Sequence, residues 1–167
     1  MDQIRIVPAE AGDVAVIHEM IGALADHLGL AHELVATESD LHDALFGARP
    51  RAEVVLAYVG DAPAGFALFY NNYSTFRGRC GIHLEDLYVL PVWRGKRIGR
   101  RLLAHIARLT LERGCSRLEW WVLATDERAS RFYAQLGATA KDEWTVYRLK
   151  GDSLGRLAEE STEAGAV

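Results

Sequence analysis

The order of hydrophobic periods along the chain is the feature that most limits its fold. Strand-like alternation, as in residues 4–8 and 145–149, is interleaved with helical spacing, as in residues 14–28. The full order is strand, two helices, three strands, helix, strand, helix, strand. Hairpins and crossovers therefore occur in one chain. This order predicts an α/β protein of the α+β kind, with a central mixed β-sheet and helices on both faces.

Local signals set the predicted boundaries. Asp13, Thr37 and Asp126 are candidate N-caps. Thr37 with Asp40 nearly matches a capping box, in which Glu or Gln is usual at the later position. The predicted strands are residues 4–8, 52–59, 64–70, 82–89, 118–123 and 145–149, with a polar loop over 71–79 and a short amphipathic helix around 154–158.

Length and composition indicate one soluble globular domain. The chain has 167 residues, of which 50% are hydrophobic and 25% are charged. We assign residues 1–160 to the domain and residues 161–167 to a flexible tail. The net charge of −4 excludes a generally basic nucleic-acid binder. The longest uncharged apolar run, residues 54–59, is too short to span a membrane.

Cysteine and histidine usage favours a reduced protein without a metal. Cys80 and Cys115 form no CxxC pair and cannot anchor a zinc site by themselves. We expect them to be free thiols in a cytoplasmic protein, because the first residues also lack a signal-peptide pattern. The histidines at 18, 32, 42, 83 and 105 show no metal-ligand spacing, so no metal site is predicted.

The strongest chemical signal is a basic turn between a strand and a helix, residues 94–101. Five of its eight residues are basic and none is acidic. Each cation near a helix N-terminus costs about 0.3–1 kcal/mol, because that end already carries partial positive charge. A bound anion removes this cost, and free N–H groups beside a glycine form a phosphate site. The alternative is a solvated basic turn. The spacing matches neither a Walker A sequence nor GxGxxG.

Residues 90–99 resemble the acetyl-CoA pyrophosphate motif of the GNAT superfamily of N-acetyltransferases, Arg/Gln-x-x-Gly-x-Gly/Ala after a strand. Arg94 matches its first position and Gly99 its second glycine. Arg97 stands where the family usually has the first glycine. This departure implies that the side chain of Arg97 itself contacts phosphate.

The resemblance extends to the spermidine/spermine (diamine) N-acetyltransferase-like branch and covers nearly the whole chain to about residue 158. The segments that carry it are residues 37–41, 46–47, 83–89, 114–116, 122–123, 131–138 and 142–144. It implies a GNAT-like single domain, acetyl-CoA as cosubstrate, a small cationic amine as substrate and a homodimer. From charge and hydropathy we expect no nucleic-acid or membrane partner. Leu28 departs from the branch, which often has an acidic residue there.

Acetyl transfer to an amine sets chemical requirements for the site. An alkylamine with a pKa near 10 must lose a proton to a base, and the leaving thiolate must gain one. The resemblance implies that Tyr133 is the acid for the thiolate and that Glu85 faces the substrate. The alternatives are a helix aromatic packed in the core and a solvated strand carboxylate. Adjacent strand residues face opposite sides, so only one of Glu85 and Asp86 is expected in the site.

The remaining site residues are also implied by the resemblance. Predicted cofactor-binding residues are Leu87, Tyr88, Val89, Arg94, Gly95, Lys96, Arg97, Ile98, Gly99, Arg100, Asp126 and Ala129. Predicted substrate-binding residues are Asp26, His27, Glu85, Asp86 and Glu143. The N–H of Leu87 is the candidate oxyanion donor. Asp126 stands where the family typically has Asn, and helix N-capping explains it equally well.

The resulting hypothesis is an acetyl-CoA-dependent N-acetyltransferase. It transfers the acetyl group to a primary amine of a diamine, a polyamine or a lysine-like amino acid, by direct attack in a ternary complex. Two alternatives stay open. One is acetylation of a protein or peptide amine, and the other is a CoA-binding regulatory module without turnover.

Overall fold

The computed structural model describes residues 3–163, which divide into two compact units, one ending at Trp121 and one beginning at Val122. The first unit contains β1 (Ile4–Pro8), α1 (Val14–Leu28), α2 (Glu38–Phe46), β2 (Glu53–Val59), β3 (Ala62–Ser74), β4 (Arg79–Val89), α3 (Ile98–Glu112) and β5 (Leu118–Trp120). The second unit contains α4 (Glu127–Ala134) and α5 (Asp152–Glu163).

A five-stranded mixed sheet forms the centre of the first unit. Its strand order follows the chain, β1-β2-β3-β4-β5, and the first three pairs are antiparallel. Strand β5 runs parallel to β4, and α3 makes the crossover between them. The predicted mixed sheet is confirmed.

Helices cover both faces of this sheet, as predicted. Ile17 of α1 and Leu45 of α2 pack with Leu56 and Phe66 in one buried cluster. Neighbouring residues on the same strands, such as Val55, are also buried, although their side chains face the other side. Helix α3 contacts all five strands. It supplies the second layer through its buried residues Ile98, Leu102, Leu103 and Ile106.

The helix boundaries follow the local signals closely. Helix α2 has a complete capping box: the N–H of Asp40 donates to Thr37 Oγ1 at 3.2 Å, and the N–H of Thr37 donates to Asp40 Oδ2 at 2.8 Å. The shorter Asp side chain therefore does the work that Glu or Gln usually does. Gly29 ends α1 in the left-handed region at φ 71°, where glycine has no steric penalty.

The predicted polar loop over residues 71–79 is wrong for residues 71–74 and 79, whereas residues 75–78 form a turn. Strand β3 continues to Ser74 and β4 begins at Arg79, and these two residues face each other in the ladder. The polar side chains are tolerated because the backbone groups pair across the hairpin. Asn72, for example, uses its side-chain amide to donate to Glu119 on β5 at 2.7 Å.

The predicted last strand at residues 145–149 is also wrong. No strand is present there in the part of the chain that the structure describes, and Val146, Tyr147 and Leu149 are exposed. Alternation of side chains becomes a strand only where a neighbouring strand completes the ladder. The fifth strand is shorter than predicted for the same reason.

The predicted amphipathic helix is confirmed as α5, which continues into the predicted tail. Residues 164–167 of that tail lie outside the described residues.

The prediction of two free thiols is wrong, because Cys80 and Cys115 form a disulfide. Cys80 lies at the start of β4 and Cys115 in the turn between α3 and β5, and their Cα atoms are 4.5 Å apart. The N–H of Ser116 donates to the Cys80 carbonyl at 2.8 Å, which holds the two segments side by side. The crossover through α3 creates this proximity, so spacing along the sequence does not reveal it.

We expect Cys115→Ser to lower the free energy of unfolding by about 2–4 kcal/mol, because the disulfide restricts the unfolded chain. Urea unfolding with and without a thiol reductant checks this. The reductant should bring the wild type to the level of the variant and leave the variant unchanged. A wild type that is insensitive to a reductant shown to open its disulfide contradicts the prediction.

Candidate active site

A bulge in β4 places two carboxylates on the same side of the sheet. Leu68 faces Asp86, but the next residue of β3, Phe69, faces Leu84, so Glu85 is an extra residue in the ladder. Leu68 belongs to the core beneath α1 and α2, and Asp86 shares its face. Glu85 Oε2 lies 3.7 Å from Nε2 of His83 on this same face. The expectation that only one carboxylate faces the site is wrong, because the bulge breaks the alternation.

The two carboxylates differ in their electrostatic environment. Glu85 is exposed, whereas Asp86 is half-buried. Burial, together with the neighbouring charge of Glu85, raises the pKa of Asp86 to about 6. The pair therefore combines one solvated carboxylate with one that exchanges a proton close to neutral pH. Such a pair attracts a cationic group and can accept a proton from it.

The end of β4 presents an open backbone edge. Strand β5 pairs with β4 only from Ile82 to Leu84. Beyond Glu85, the edge that faces away from β3 has no strand partner among residues 3–163. Backbone N–H and C=O groups alternate along such an edge and can hydrogen-bond an extended ligand. Leu87, Tyr88 and Val89, the predicted cofactor-binding residues of β4, lie on this part of the strand.

The basic turn leads directly into the N-terminus of α3. Gly95 and Arg97 both have positive φ, 79° and 62°, and Arg97 is the only non-glycine with positive φ among the described residues. The first backbone hydrogen bond of α3 runs from the Arg101 N–H to the Arg97 carbonyl. The N–H groups of Ile98, Gly99 and Arg100 come before it and therefore have no acceptor within the helix. Arg97, at the position where the resemblance expects glycine, thus adopts the left-handed backbone that glycine adopts most readily.

Two cations of this turn contact aromatic rings. Arg94 Nε donates to the Val89 carbonyl at 3.1 Å, and its guanidinium lies 5.5 Å from the Tyr88 ring centroid. Lys96 Nζ lies 4.4 Å from the Trp93 ring. Arg94 therefore fastens the basic turn to the end of β4. Lys96, Arg97 and Arg100 are exposed, so anion-binding charge is available at the start of α3.

The predicted substrate residues of α1 lie at its C-terminal end. Asp26 and His27 are both exposed. The His27 ring centroid is 6.3 Å from that of Tyr88, so α1 ends beside the final part of β4. The first unit thus brings together His27, the two carboxylates of β4 and the basic turn along one strand.

The second unit carries the other predicted site residues. Asp126 caps α4 by accepting the N–H of Ala129 at 2.9 Å, so the capping alternative for Asp126 is confirmed. Tyr133 is half-buried on α4, with its ring 5.2 Å from that of Phe132. Burial and the carboxylate of Asp126 raise the pKa of Tyr133 to about 12, so this phenol keeps its proton at neutral pH. Glu143 is exposed and forms an ion pair with Lys141, which lowers its pKa.

Sequence reasoning missed a cluster around His83, Tyr70 and Trp121. The His83 ring stacks on Tyr70 and meets Trp121 edge-on, each at 5.1 Å between centroids. The available signal was the two-residue spacing of His83 and Glu85, which places both on one face of a regular strand. Among residues 3–163, no group of three His, Cys, Asp or Glu could hold a metal ion, and no helix is long and apolar enough to cross a membrane.

A mixed sheet with a bulged acidic strand, an open strand edge and a basic helix start suits a class of protein that binds a phosphorylated, extended ligand. Comparison with known proteins identifies the class. Residues 22–138 match the family model described as Acetyltransferase (GNAT) family. The chain belongs to this family and is an acetyl-CoA-dependent acetyltransferase.

Similar proteins include curated enzymes and solved structures. Thialysine N-epsilon-acetyltransferase of Bos taurus is 34% identical, with 93% of this chain and 97% of that protein covered. L-ornithine N5-acetyltransferase of Arabidopsis thaliana is 30% identical, with 90% and 86% covered. An integron cassette protein from the mobile metagenome of V. cholerae has a TM-score of 0.78 at 27% identity, with 93% and 98% covered.

We expect Arg97→Gly to raise the free energy of unfolding by about 1 kcal/mol, because glycine adopts the left-handed region without steric cost. The same change should weaken acetyl-CoA binding about tenfold through loss of a phosphate contact. Urea unfolding and isothermal titration measure the two effects. Arg97→Lys is the matched control and should keep most of the affinity. Equal affinity in the glycine and lysine variants contradicts a phosphate role.

We expect Asp86 to make the protein less stable as the pH rises. Its pKa is 3.8 unperturbed and about 6 when folded, so between these pH values the folded state binds more protons than the unfolded state. Between pH 4 and pH 8 the wild type should lose roughly 1–3 kcal/mol relative to Asp86→Asn. Urea unfolding at both pH values measures this difference. Parallel pH profiles for the two proteins contradict it.

Proposed function

We propose that this acetyltransferase acetylates the primary amine of a small cationic substrate, such as a diamine, a polyamine or a lysine-like amino acid. The observation that carries this proposal is the bulge, which places Glu85 and Asp86 on one side of β4 next to the open edge. Two adjacent carboxylates attract an ammonium group, and this attraction offsets the cost of removing the ammonium from water. The names of the relatives, which act on thialysine and ornithine, support the same substrate class.

The reaction requires two proton transfers. The substrate ammonium gives one proton to a base, and its nitrogen then forms a bond to the acetyl carbon while the bond from that carbon to sulfur breaks. The second proton leaves the nitrogen, and the thiolate gains a proton. We assign the first acceptor to Glu85, acting directly or through water, because it is the exposed carboxylate beside Asp86.

We assign the proton for the thiolate to Tyr133. Burial and Asp126 keep the phenol protonated at neutral pH, as an acid must be. A thiol has a pKa of about 8.5, so the phenol is the weaker acid, and transfer of its proton to sulfur is completed when the proton leaving the substrate nitrogen replaces the proton of the phenol. The resemblance to the family points to the same tyrosine.

Cofactor binding is assigned to the end of β4 and the start of α3. The exposed cations of the basic turn and the first N–H groups of α3 suit a pyrophosphate. The open edge at Leu87, Tyr88 and Val89 suits the amide groups of the pantetheine arm, and the Leu87 N–H is the proposed oxyanion donor. His27, which lies beside Tyr88, is proposed to line the amine pocket with Asp26. Glu143 of the second unit is kept as a proposed substrate-binding residue.

A thiol-release screen with acetyl-CoA tests the function. We expect turnover with small diamines, polyamines or lysine-like amino acids, and little with amines that lack a second cationic group. Turnover with peptides alone favours the protein-amine alternative. Acetyl-CoA binding without turnover on any amine favours the regulatory module. No heat of binding in isothermal titration at millimolar acetyl-CoA contradicts the whole assignment.

The same assay separates the roles of the two proposed reacting groups. Tyr133→Phe should lower kcat by about 100-fold or more and leave acetyl-CoA affinity unchanged, because only the proton is lost. Phe132→Leu, a change at the neighbouring ring, is the matched control for packing. Unchanged kcat in Tyr133→Phe removes its acid role.

The homodimer remains a prediction of the resemblance. The cytoplasmic location and the absence of nucleic-acid and membrane partners remain predictions from cysteine usage, charge and hydropathy. Light scattering on the purified protein measures the oligomeric state. The disulfide between Cys80 and Cys115 bears on the location, because such bonds persist mainly in oxidising compartments. Alkylation of freshly lysed cells measures whether the two cysteines are bonded or reduced, and reduced cysteines support the cytoplasmic location.

A further inference from the structure

His83 is a buried imidazole on β4 that has no role in the proposed chemistry so far. Its side chain is 6% exposed, whereas that of Glu85 is 50% exposed. His83 Nε2 lies 3.7 Å from Glu85 Oε2, which is an ion-pair distance. The imidazole is fixed between two aromatic rings, with Tyr70 stacked at an interplanar angle of 27° and Trp121 edge-on at 77°. A buried, rigid ring thus faces the exposed carboxylate that we assign as the base.

Two carboxylates lie close to this imidazole, and the structure distinguishes them. Glu119 is the residue opposite His83 in the β4–β5 ladder. Its carboxylate accepts the Asn72 side-chain N–H at 2.7 Å, and Arg117 Nε lies 3.2 Å from its other oxygen. Glu119 is therefore compensated by an amide and a cation, and Glu85 is the carboxylate that pairs with His83.

The hydroxyl of Tyr70 is a second group that fixes the position of Glu85. Burial, the negative charge of Glu85 and a hydrogen bond to Glu85 raise the pKa of Tyr70. The phenol therefore stays protonated and can donate to the carboxylate. The Tyr70 ring also stacks on the His83 ring, so Tyr70 contacts both His83 and Glu85. Fixing a carboxylate from two sides lowers the cost of aligning it with the proton that it accepts.

We infer that His83 is a positioning residue for Glu85: its imidazole, held between Tyr70 and Trp121, orients the carboxylate that removes the proton from the substrate amine. This inference rests on the proposed function. It does not place His83 in contact with the substrate, because His83 acts through Glu85. At 3.7 Å the Nε2 atom is within ion-pair distance of the carboxylate and beyond hydrogen-bond distance, so it acts on Glu85 through the dipole of an Nε2–H or the charge of a protonated ring.

A packing role is the competing explanation, and His83→Phe separates the two. Phenylalanine preserves a flat ring between Tyr70 and Trp121 but has no nitrogen to face Glu85. We expect kcat with the best amine to fall about tenfold, because the carboxylate loses its polar contact with the imidazole. The affinity for acetyl-CoA and the melting temperature should stay unchanged. His105→Phe, on α3, is the matched control and should behave as the wild type does.

A second pair of variants keeps the test decisive if the phenylalanine variant does not fold. His83→Gln retains an N–H donor of similar reach, whereas His83→Met has similar length and no donor. The glutamine variant should keep most of the wild-type kcat and the methionine variant should lose about tenfold. Equal kcat in these two variants overturns the inference.

A double-mutant cycle with Glu85→Gln completes the experiment. If His83 acts through Glu85, changing His83 to Phe in the Glu85→Gln protein should lower kcat no further. Independent, multiplicative losses overturn the inference. A wild type without turnover on any amine defeats the proposed function itself. An active wild type with a fully active His83→Phe variant defeats only the role of His83.

Discussion

The pairing of β4 governs the rest of this structure. On one side it pairs with β3 over its whole length, interrupted by the bulge at Glu85, and on the other it pairs with β5 over three residues only. The first pairing anchors the strand in the core beneath α1 and α2. The short second pairing leaves the last part of the strand open. A rigid strand with an exposed edge can bind an extended ligand without moving.

Charge is separated along the same strand. Carboxylates lie at the bulge, and the cations of the basic turn follow the end of the strand, where Arg94 bonds the Val89 carbonyl. Opposite charges therefore lie on neighbouring stretches of one element, an arrangement that suits a cationic amine beside an anionic cofactor. The net charge of −4 conceals this arrangement, because a sum contains no positions. A site of this kind recruits two oppositely charged reactants and keeps their binding regions apart.

Local signals predicted much of the fold because they act over a few residues. The capping box at Thr37, the left-handed Gly29 and the stripe of α3 all depend on neighbours in the sequence. Predictions failed where a partner strand decides the outcome. Residues 71–74 look like a loop but pair in a hairpin, and residues 145–149 look like a strand but have none to pair with among the described residues. Side-chain alternation specifies a face, and only a neighbour supplies the hydrogen bonds.

By itself, the sequence determined the order of elements from β1 to α4, the basic turn, the family resemblance and the chemical types of the candidate site residues. These follow from composition, periodicity and motif, which require no knowledge of distant contacts. Only the tertiary structure decided that both carboxylates of β4 face one side, that His83 meets Glu85, and that Cys80 bonds Cys115. The first two depend on the register of the strands, and the disulfide depends on the crossover through α3, which brings the two cysteines together. A shift of one residue in register moves a side chain to the other face, and no local signal encodes that shift.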